Sequence, residues 1–277
     1  MIPKKPLRGR ARAPVTCSLA AAVSLTLTLA SCSGTTGSDL VSFRAAAAGP
    51  VDAVAGQPLV FTSGRGFRVT LTQATMHVGA VYLNRSLPTS GAQATSCVLP
   101  GIYVGEIRTG LDVDVLSPLP QPFAALGDGT ADRALAGEVW LTGGDVNAAE
   151  DSTVIVRVAG SAEGPTGTFP FTGVVTIGSN HAIGSPDPAQ PGLNPPCKER
   201  IVSPIPADVT PSKSGSLLLR IDPRGWFANV DFSALVSNGA TPPVYVFEDS
   251  GASQPSYNLF KGLHAADGVY SFSWSAK

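Results

Sequence analysis

FRVTLTQ, residues 67–73, decides the fold. Phe67, Val69 and Leu71 alternate with Arg68, Thr70 and Thr72. A period of two puts the apolar side chains on one face of a strand and the polar ones on the other. TMHVGAVYLN (75–84) follows directly and extends this into one long or bent strand pair. The same signal recurs in IYVGEIR (102–108), LDVDVL (111–116), GEVWLT (137–142), STVIVRVAG (152–160) and FPFTGVVTIG (169–178). It continues in SGSLLLRID (214–222), WFANVDFSAL (226–235), PVYVF (243–247) and GVYSFSWS (268–275). About eleven such segments, separated by Gly, Pro, Asn and Asp clusters, predict an all-β antiparallel sandwich or barrel-like domain. Thr109-Gly110 is placed to turn a hairpin between 102–108 and 111–116. Helix signals are few. ADRALAG (131–137) offers one or two turns, and SYNLFKGLHA (256–265) reads as a short helix or a loop.

Composition agrees. Charged residues are 14% of the chain, against about a quarter in ordinary soluble domains. Small and turn-forming residues replace them: the chain has 30 Gly and 24 Pro. SNHAIGSPDPAQPGLNPPCKER (179–200) is the longest break, with five prolines. Proline fixes φ and removes a donor, so this segment is a long Pro-rich loop and not a central strand. A loop of that length is either functional or a surface insertion.

The N-terminus reads differently. Lys4, Lys5, Arg8, Arg10 and Arg12 precede an apolar run, VTCSLAAAVSLTLTLA (15–30). Its 16 residues fall short of the roughly 20 that span a bilayer. A basic segment followed by a short apolar one is the layout of an export signal. The run ends in Leu29-Ala30-Ser31-Cys32.

These residues resemble the lipobox signal of bacterial lipoproteins. The resemblance implies that the Cys32 thiol carries diacylglycerol, that the chain is cut before Cys32, and that the new amino group is acylated, with palmitate among the chains. Each buried CH₂ contributes about 0.8 kcal/mol, and two or more acyl chains give a stable anchor where one does not. It further implies attachment to the bacterial envelope. Ser33, a non-acidic residue after the cysteine, points to the outer membrane. The expected organisation is a signal peptide over 1–31, a lipidated cysteine and flexible tether over 32–55, and a single β domain over 56–277.

Removal of residues 1–31 takes away five of the 19 Lys and Arg and none of the 20 Asp and Glu. The mature chain then has six acids in excess, so it repels phosphate backbones and nucleic acid is not an expected partner. Of four cysteines, Cys17 leaves with the signal and Cys32 is lipidated. Cys97 and Cys197 remain, and beyond the membrane two leftover thiols tend to pair. A bridge would close a loop of about 100 residues, contributing up to about 4.7 kcal/mol in the chain-entropy account. The alternative is two separate buried thiols.

No catalytic string is present: there is no G-x-S-x-G, S-x-x-K, H-E-x-x-H or G-x-x-x-x-G-K in the chain. No catalytic residue and no cofactor are therefore assigned. His77, His181 and His264 are the three histidines. If they converged, Zn²⁺ or Cu²⁺ would suit the site, and Met76 beside His77 would add a soft ligand, although neighbours in a strand point to opposite faces. Their scattered spacing favours three independent side chains. GGDVNAAED (143–151) gathers Asp145, Asn147, Glu150 and Asp151, hard oxygen ligands that suit Ca²⁺ but that a solvated acidic turn explains as well. Tyr270, Phe272 and Trp274 share one strand face, with Ser271, Ser273 and Ser275 opposite. Trp226, Ala228, Val230 and Phe232 make a similar row. Exposed, such rows stack sugars. With polar opposite faces they read as core, about 1.5–3 kcal/mol per large side chain. The function expected is a non-enzymatic ligand-binding, partner-binding or structural module held to the envelope by lipid. The alternative is a metal-binding protein or metal-dependent exported enzyme using the three histidines.

Overall fold

The strands follow one another along the chain with little helix between them. A computed structural model describes residues 38–87, 101–181 and 196–276. In chain order the first eight strands are β1 (Leu40–Ala48), β2 (Leu59–Thr62), β3 (Arg68–Val78), β4 (Ala80–Asn84), β5 (Tyr103–Ile107), β6 (Leu111–Asp114), β7 (Gln121–Pro122) and β8 (Gly127–Thr130). Then come β9 (Ala134–Trp140), β10 (Val154–Gly164), β11 (Gly167–Thr176), the short helix α1 (Pro196–Glu199), β12 (Ile201–Val209) and β13 (Ser216–Ile221). The last elements are β14 (Val236–Ser237), β15 (Tyr245–Phe247), helix α2 (Gln254–Leu263) and β16 (Tyr270–Ser275).

They form two sheets. One runs β12-β9-β4-β5-β8-β1-β13-β16, with β7 also against β1. Its end strands β12 and β16 approach each other, so this sheet curls into a nearly closed barrel. The other runs β14-β15-β11-β10-β3-β2, with β6 also against β3. The all-β sandwich or barrel-like expectation is met. Pairing is antiparallel except for β1 with β13 and β11 with β15, which are parallel. The long β10–β11 hairpin turns at Pro165-Thr166, with Gly164 opposite Gly167, and its ladder slips once between Val154 and Val156.

One continuous core lies between and within the sheets, from Phe43, Val81 and Ile107 to Leu71, Met76, Phe171 and Phe247. Inside the barrel, Phe43 meets Trp274 edge to face at 5.3 Å. Gly137 on β9 leaves the space that Phe272 fills, since a Cβ there would fall 2.1 Å from the ring. The described residues form one compact unit.

Several elements differ from the reading of the sequence. The β domain does not start at 56. Residues 40–48, expected to be tether, are β1, a strand inside the barrel with Val41, Phe43, Ala45 and Ala47 buried. Four alanines and one phenylalanine give it a weak propensity, and partners on both edges hold it. IYVGEIR and LDVDVL are not a hairpin: β5 pairs with β4 and β8, whereas β6 pairs with β3 in the other sheet. ADRALAG is not helical but opens β9.

WFANVDFSAL is not a strand. It is two single 3₁₀ turns, Pro223–Phe227 and Phe232–Ala234. Asp222 and Asp231 cap them by accepting the backbone N–H of Arg224 and Ser233. Of the row read as core, Trp226, Val230 and Phe232 are buried and Ala228 half-buried, on turns and not on a strand, and Phe227 is buried with them. Phe171, Phe227, Phe232 and Phe247 make one aromatic cluster, with neighbouring centroids 5.2–6.1 Å apart.

Residues 201–209 hold Pro204 and Pro206 and give no clear strand signal, yet they form β12 at the sheet margin. Its ladder to β9 slips between Val202 and Ile205 and between Pro206 and Val209, where missing donors cost least. SYNLFKGLHA is helix α2, capped by Ser253, with Pro255, Leu259, Phe260 and Leu263 buried. Of the Pro-rich loop, residues 182–195 lie outside the described residues. So do the signal peptide, Cys32 and Cys97.

Candidate functional site

The three histidines do not share one place in the fold. His77 on β3 sits opposite Asp112 on β6, and its Nδ1 is 2.7 Å from the Asp112 Oδ1. Met76 points to the other face, fully buried, with the Tyr270 hydroxyl 3.7 Å from its sulfur. His181 ends a single 3₁₀ turn after β11 and stacks flat on Phe260, centroids 3.8 Å apart. Its Nε2 lies 3.7 Å from Asp249, beyond hydrogen-bond range. The Asp249 carboxylate accepts instead from the Thr176 N–H and hydroxyl, both at 2.6 Å. Burial works against its charge, yet the nearby His181 ring and the two Thr176 donors outweigh that and hold its pKa below the ordinary value.

His264 follows α2. Its Nδ1 is 2.8 Å from the Phe260 carbonyl, and its Nε2 meets the Glu199 carbonyl. It ties the end of α2 to α1. His181 and His264 therefore both pack on Phe260, and His77 pairs elsewhere. Among the described residues, no three His, Cys, Asp or Glu side chains are arranged to hold a metal ion.

The acidic segment 143–151 is a braced turn. Asp151 accepts from the Thr142 hydroxyl at 2.8 Å and from the N–H groups of Gly143 and Thr153 at 3.1 and 2.9 Å. Burial raises its pKa, but these donors prevail and bring it to about 2. Asp145 accepts the Asn147 N–H. Below the turn lies Arg200, fully buried. Its Nη1 donates to the carbonyls of Val146 at 2.9 Å and Ala148 at 2.5 Å, and its Nε to that of Ile177 at 2.8 Å. Carboxylates spent on backbone donors do not make a Ca²⁺ cage.

A second polar cluster was not singled out from the sequence. On β9, Glu138 has no exposed surface, and three donors converge on it. These are Asn84 Nδ2 at 2.5 Å, Trp140 Nε1 at 3.1 Å and the Tyr103 hydroxyl at 3.4 Å. Tyr82 lies between Tyr103 and Trp140, with ring centroids 4.9 and 4.6 Å away. The register explains the meeting: Tyr82 faces Glu138, and Asn84 faces Tyr103 on one side and Ala136 on the other. The signal was present as Glu138 and Trp140 at i and i+2 with Tyr82 and Asn84 at i and i+2. It needs the β4–β9 register to be read.

Burial pushes the Glu138 carboxyl above the usual range, and the three donors only partly offset this. A raised folded pKa favours folding below the ordinary value of 4.5 and loses that contribution as pH rises through the folded value. Glu138→Gln keeps the shape without the charge. Its amide can donate to the otherwise unpartnered Asn84 Oδ1 after a flip of Asn84, while its oxygen accepts from Trp140 and Tyr103. The variant is expected to gain stability relative to the native chain as pH rises above about 4.5, where the native carboxyl must ionise against its burial. Urea midpoints across that range check it, and a constant difference contradicts it.

Beside this cluster the outer face of β1, β5 and β8 carries an open groove of about 510 Å³, lined by Leu40, Ser42, Tyr103, Glu106, Asp128 and Thr130 among others. Ser42 donates to Asp128 across its floor at 2.8 Å.

No known protein family matches the chain. No characterised protein matches it in sequence. Among solved structures it is similar to MbnP from Methylosinus trichosporium at 13% identity, over 86% of this chain and 99% of that one, with a TM-score of 0.35. At that score the likeness carries no argument about function.

Proposed function

We propose that the chain is a lipid-anchored protein of the bacterial envelope, at the outer membrane, whose β domain binds a partner or serves structure and is not an enzyme. The observation that carries this reading is Leu29-Ala30-Ser31-Cys32 after a basic and an apolar run. The fold supports it: the barrel begins at Leu40, eight residues past the lipid-bearing cysteine, so the domain hangs on a short leash. The described polar side chains that carry chemistry in other proteins brace this one. Asp151 and Arg200 hold a turn, Asp249 holds the end of β11, and His264 holds α1 to α2. A disulfide from Cys97 to Cys197 belongs to the same proposal, and the buried position of Cys197 suits a staple.

Metabolic labelling with a clickable fatty-acid analogue tests the anchor. The native chain is expected to take up label and to partition into the detergent phase. Cys32→Ser is expected to lose both. Equal labelling of the two proteins removes the reading.

A further inference from the structure

We propose that the barrel end next to the anchor rests on the bilayer itself, through an apolar rim formed by Leu40, Leu87, Ile102, Tyr103 and Leu135. The inference rests on the lipid-anchor reading and names the surface that anchor brings into contact.

Sequence places these five residues far apart, and the sheet register gathers them. Leu40 opens β1 opposite Thr130, the last residue of β8. Tyr103 opens β5 opposite Asn84, the last residue of β4, and Asn84 also faces Ala136 near the start of β9. Beyond the strands, Arg85 donates its N–H to the Ile102 carbonyl, and Ala131 donates to Asp39. All five therefore lie at one end of the barrel. Leu40 is 78% exposed, Ile102 58% and Leu87 57%, with Tyr103 and Leu135 also open.

Water is a poor neighbour for such a set. Large apolar side chains grouped at one end match an interaction surface, and the ring edge of Tyr103 adds to it while its hydroxyl turns inward to Glu138. The charges there do not oppose it. Arg85 pairs with Asp132, and Arg133 pairs with Asp208 through two hydrogen bonds. Asp39, beside Leu40, is exposed and in no ion pair among the described residues, so the rim suits the zwitterionic headgroups of phosphatidylcholine, and both arginine stems can reach outward.

Chain length selects the bilayer as the occupant. From Cys32 to Leu40 there are eight residue steps, at most about 29 Å when fully extended. Acyl chains on Cys32 lie in the membrane, so Leu40 cannot be farther from it than that. Val51 and Leu119 are as exposed as the rim but lie past the far end of β1, where Gly49 donates to the Ser117 carbonyl. Nine residues of strand add about 30 Å, so with the β1 start against the bilayer that end stands farthest from it. It serves as the internal control.

The test uses the full lipidated chain in phosphatidylcholine vesicles that contain a phospholipid with a photoactivatable diazirine in its acyl chain. After irradiation, peptides carrying Leu40 and Ile102-Tyr103 are expected to hold lipid severalfold over those carrying Val51 and Leu119. The exposed-site double variant Leu40→Gln/Ile102→Gln is expected to float with the vesicles and lose most of that label. Protein that fails to float overturns the anchor and the rim together. Protein that floats but is labelled evenly, or chiefly at Val51 and Leu119, overturns the rim alone. So does native protein whose rim peptides crosslink to a second protein chain and not to lipid.

Discussion

Arg200→Ala is expected to destabilise the domain by about 3–5 kcal/mol, the range found when one partner of a buried charged network is removed. The guanidinium is fully buried and faces carbonyl oxygens of Val146, Ala148 and Ile177. It makes no ion pair within 4.0 Å among the described residues. Burial works against its charge, and the fields of Asp151, Asp145 and Glu150 work for it. Truncation leaves at least three carbonyls without donors, each costing about 1–3 kcal/mol where water cannot reach. Part is recovered where the turn meets solvent, hence the range. Arg200→Lys is expected to rescue little, because one ammonium cannot reach both the turn and Ile177. Urea unfolding reads the loss, and hydrogen exchange over 143–151 reads the turn directly. A midpoint within about 1 kcal/mol of the native chain would show the guanidinium is replaceable.

That arginine was invisible as a functional or structural residue in the sequence. It ends the Pro-rich run as one more charge before IVSPIPADV. Its role follows from where β12 starts, and β12 was itself hidden by Pro204 and Pro206. By contrast, β3, β10 and β11 were plain, because their Val, Thr and Phe patterns fit a strand with one buried face and no local cap or turn competes. The division between sheets was not plain. Period shows which face of a strand is apolar, not which strand lies beside it, so 102–108 and 111–116 looked like a hairpin and are not. The same limit hid Glu138: its buried cluster exists only through the pairing of β4 with β9 and β5. Of the row Trp226, Ala228, Val230 and Phe232 read as core, Trp226, Val230 and Phe232 are core and Ala228 is half-buried, but Asp222-Pro223 and Asp231 cap turns, and their local chemistry overrode the strand pattern. The proposed lipidation stands apart, since its signal lies in residues that would be read by enzymes and not by the fold.

Gly79→Ala is expected to cost about 3 kcal/mol, at the upper end of what an added methyl does in a packed site. Gly79 is the single residue between β3 in one sheet and β4 in the other. The long segment 67–84 read as one bent strand pair, and this is the bend. A Cβ here would stand 1.9 Å from the Thr142 carbonyl oxygen and 3.0 Å from its carbon. Those are backbone atoms, and they cannot swing aside as a side-chain tip would. Thr142 is also held by Asp151, which accepts its hydroxyl, and Gly79 itself donates to the Trp140 carbonyl at 2.8 Å. To admit the methyl, either the β3–β4 crossing or the end of β9 must move, and both sheets are fixed there by core residues Val78, Val81 and Leu141. Gly66 offers the contrast. Its space is open but its φ is +83°, so Gly66→Ala is expected to cost only the left-handed backbone penalty, about 1–2 kcal/mol. Thermal or urea unfolding of the two variants side by side separates the causes. If Gly66→Ala is the more damaging, the crossing at Gly79 is looser than its contacts require.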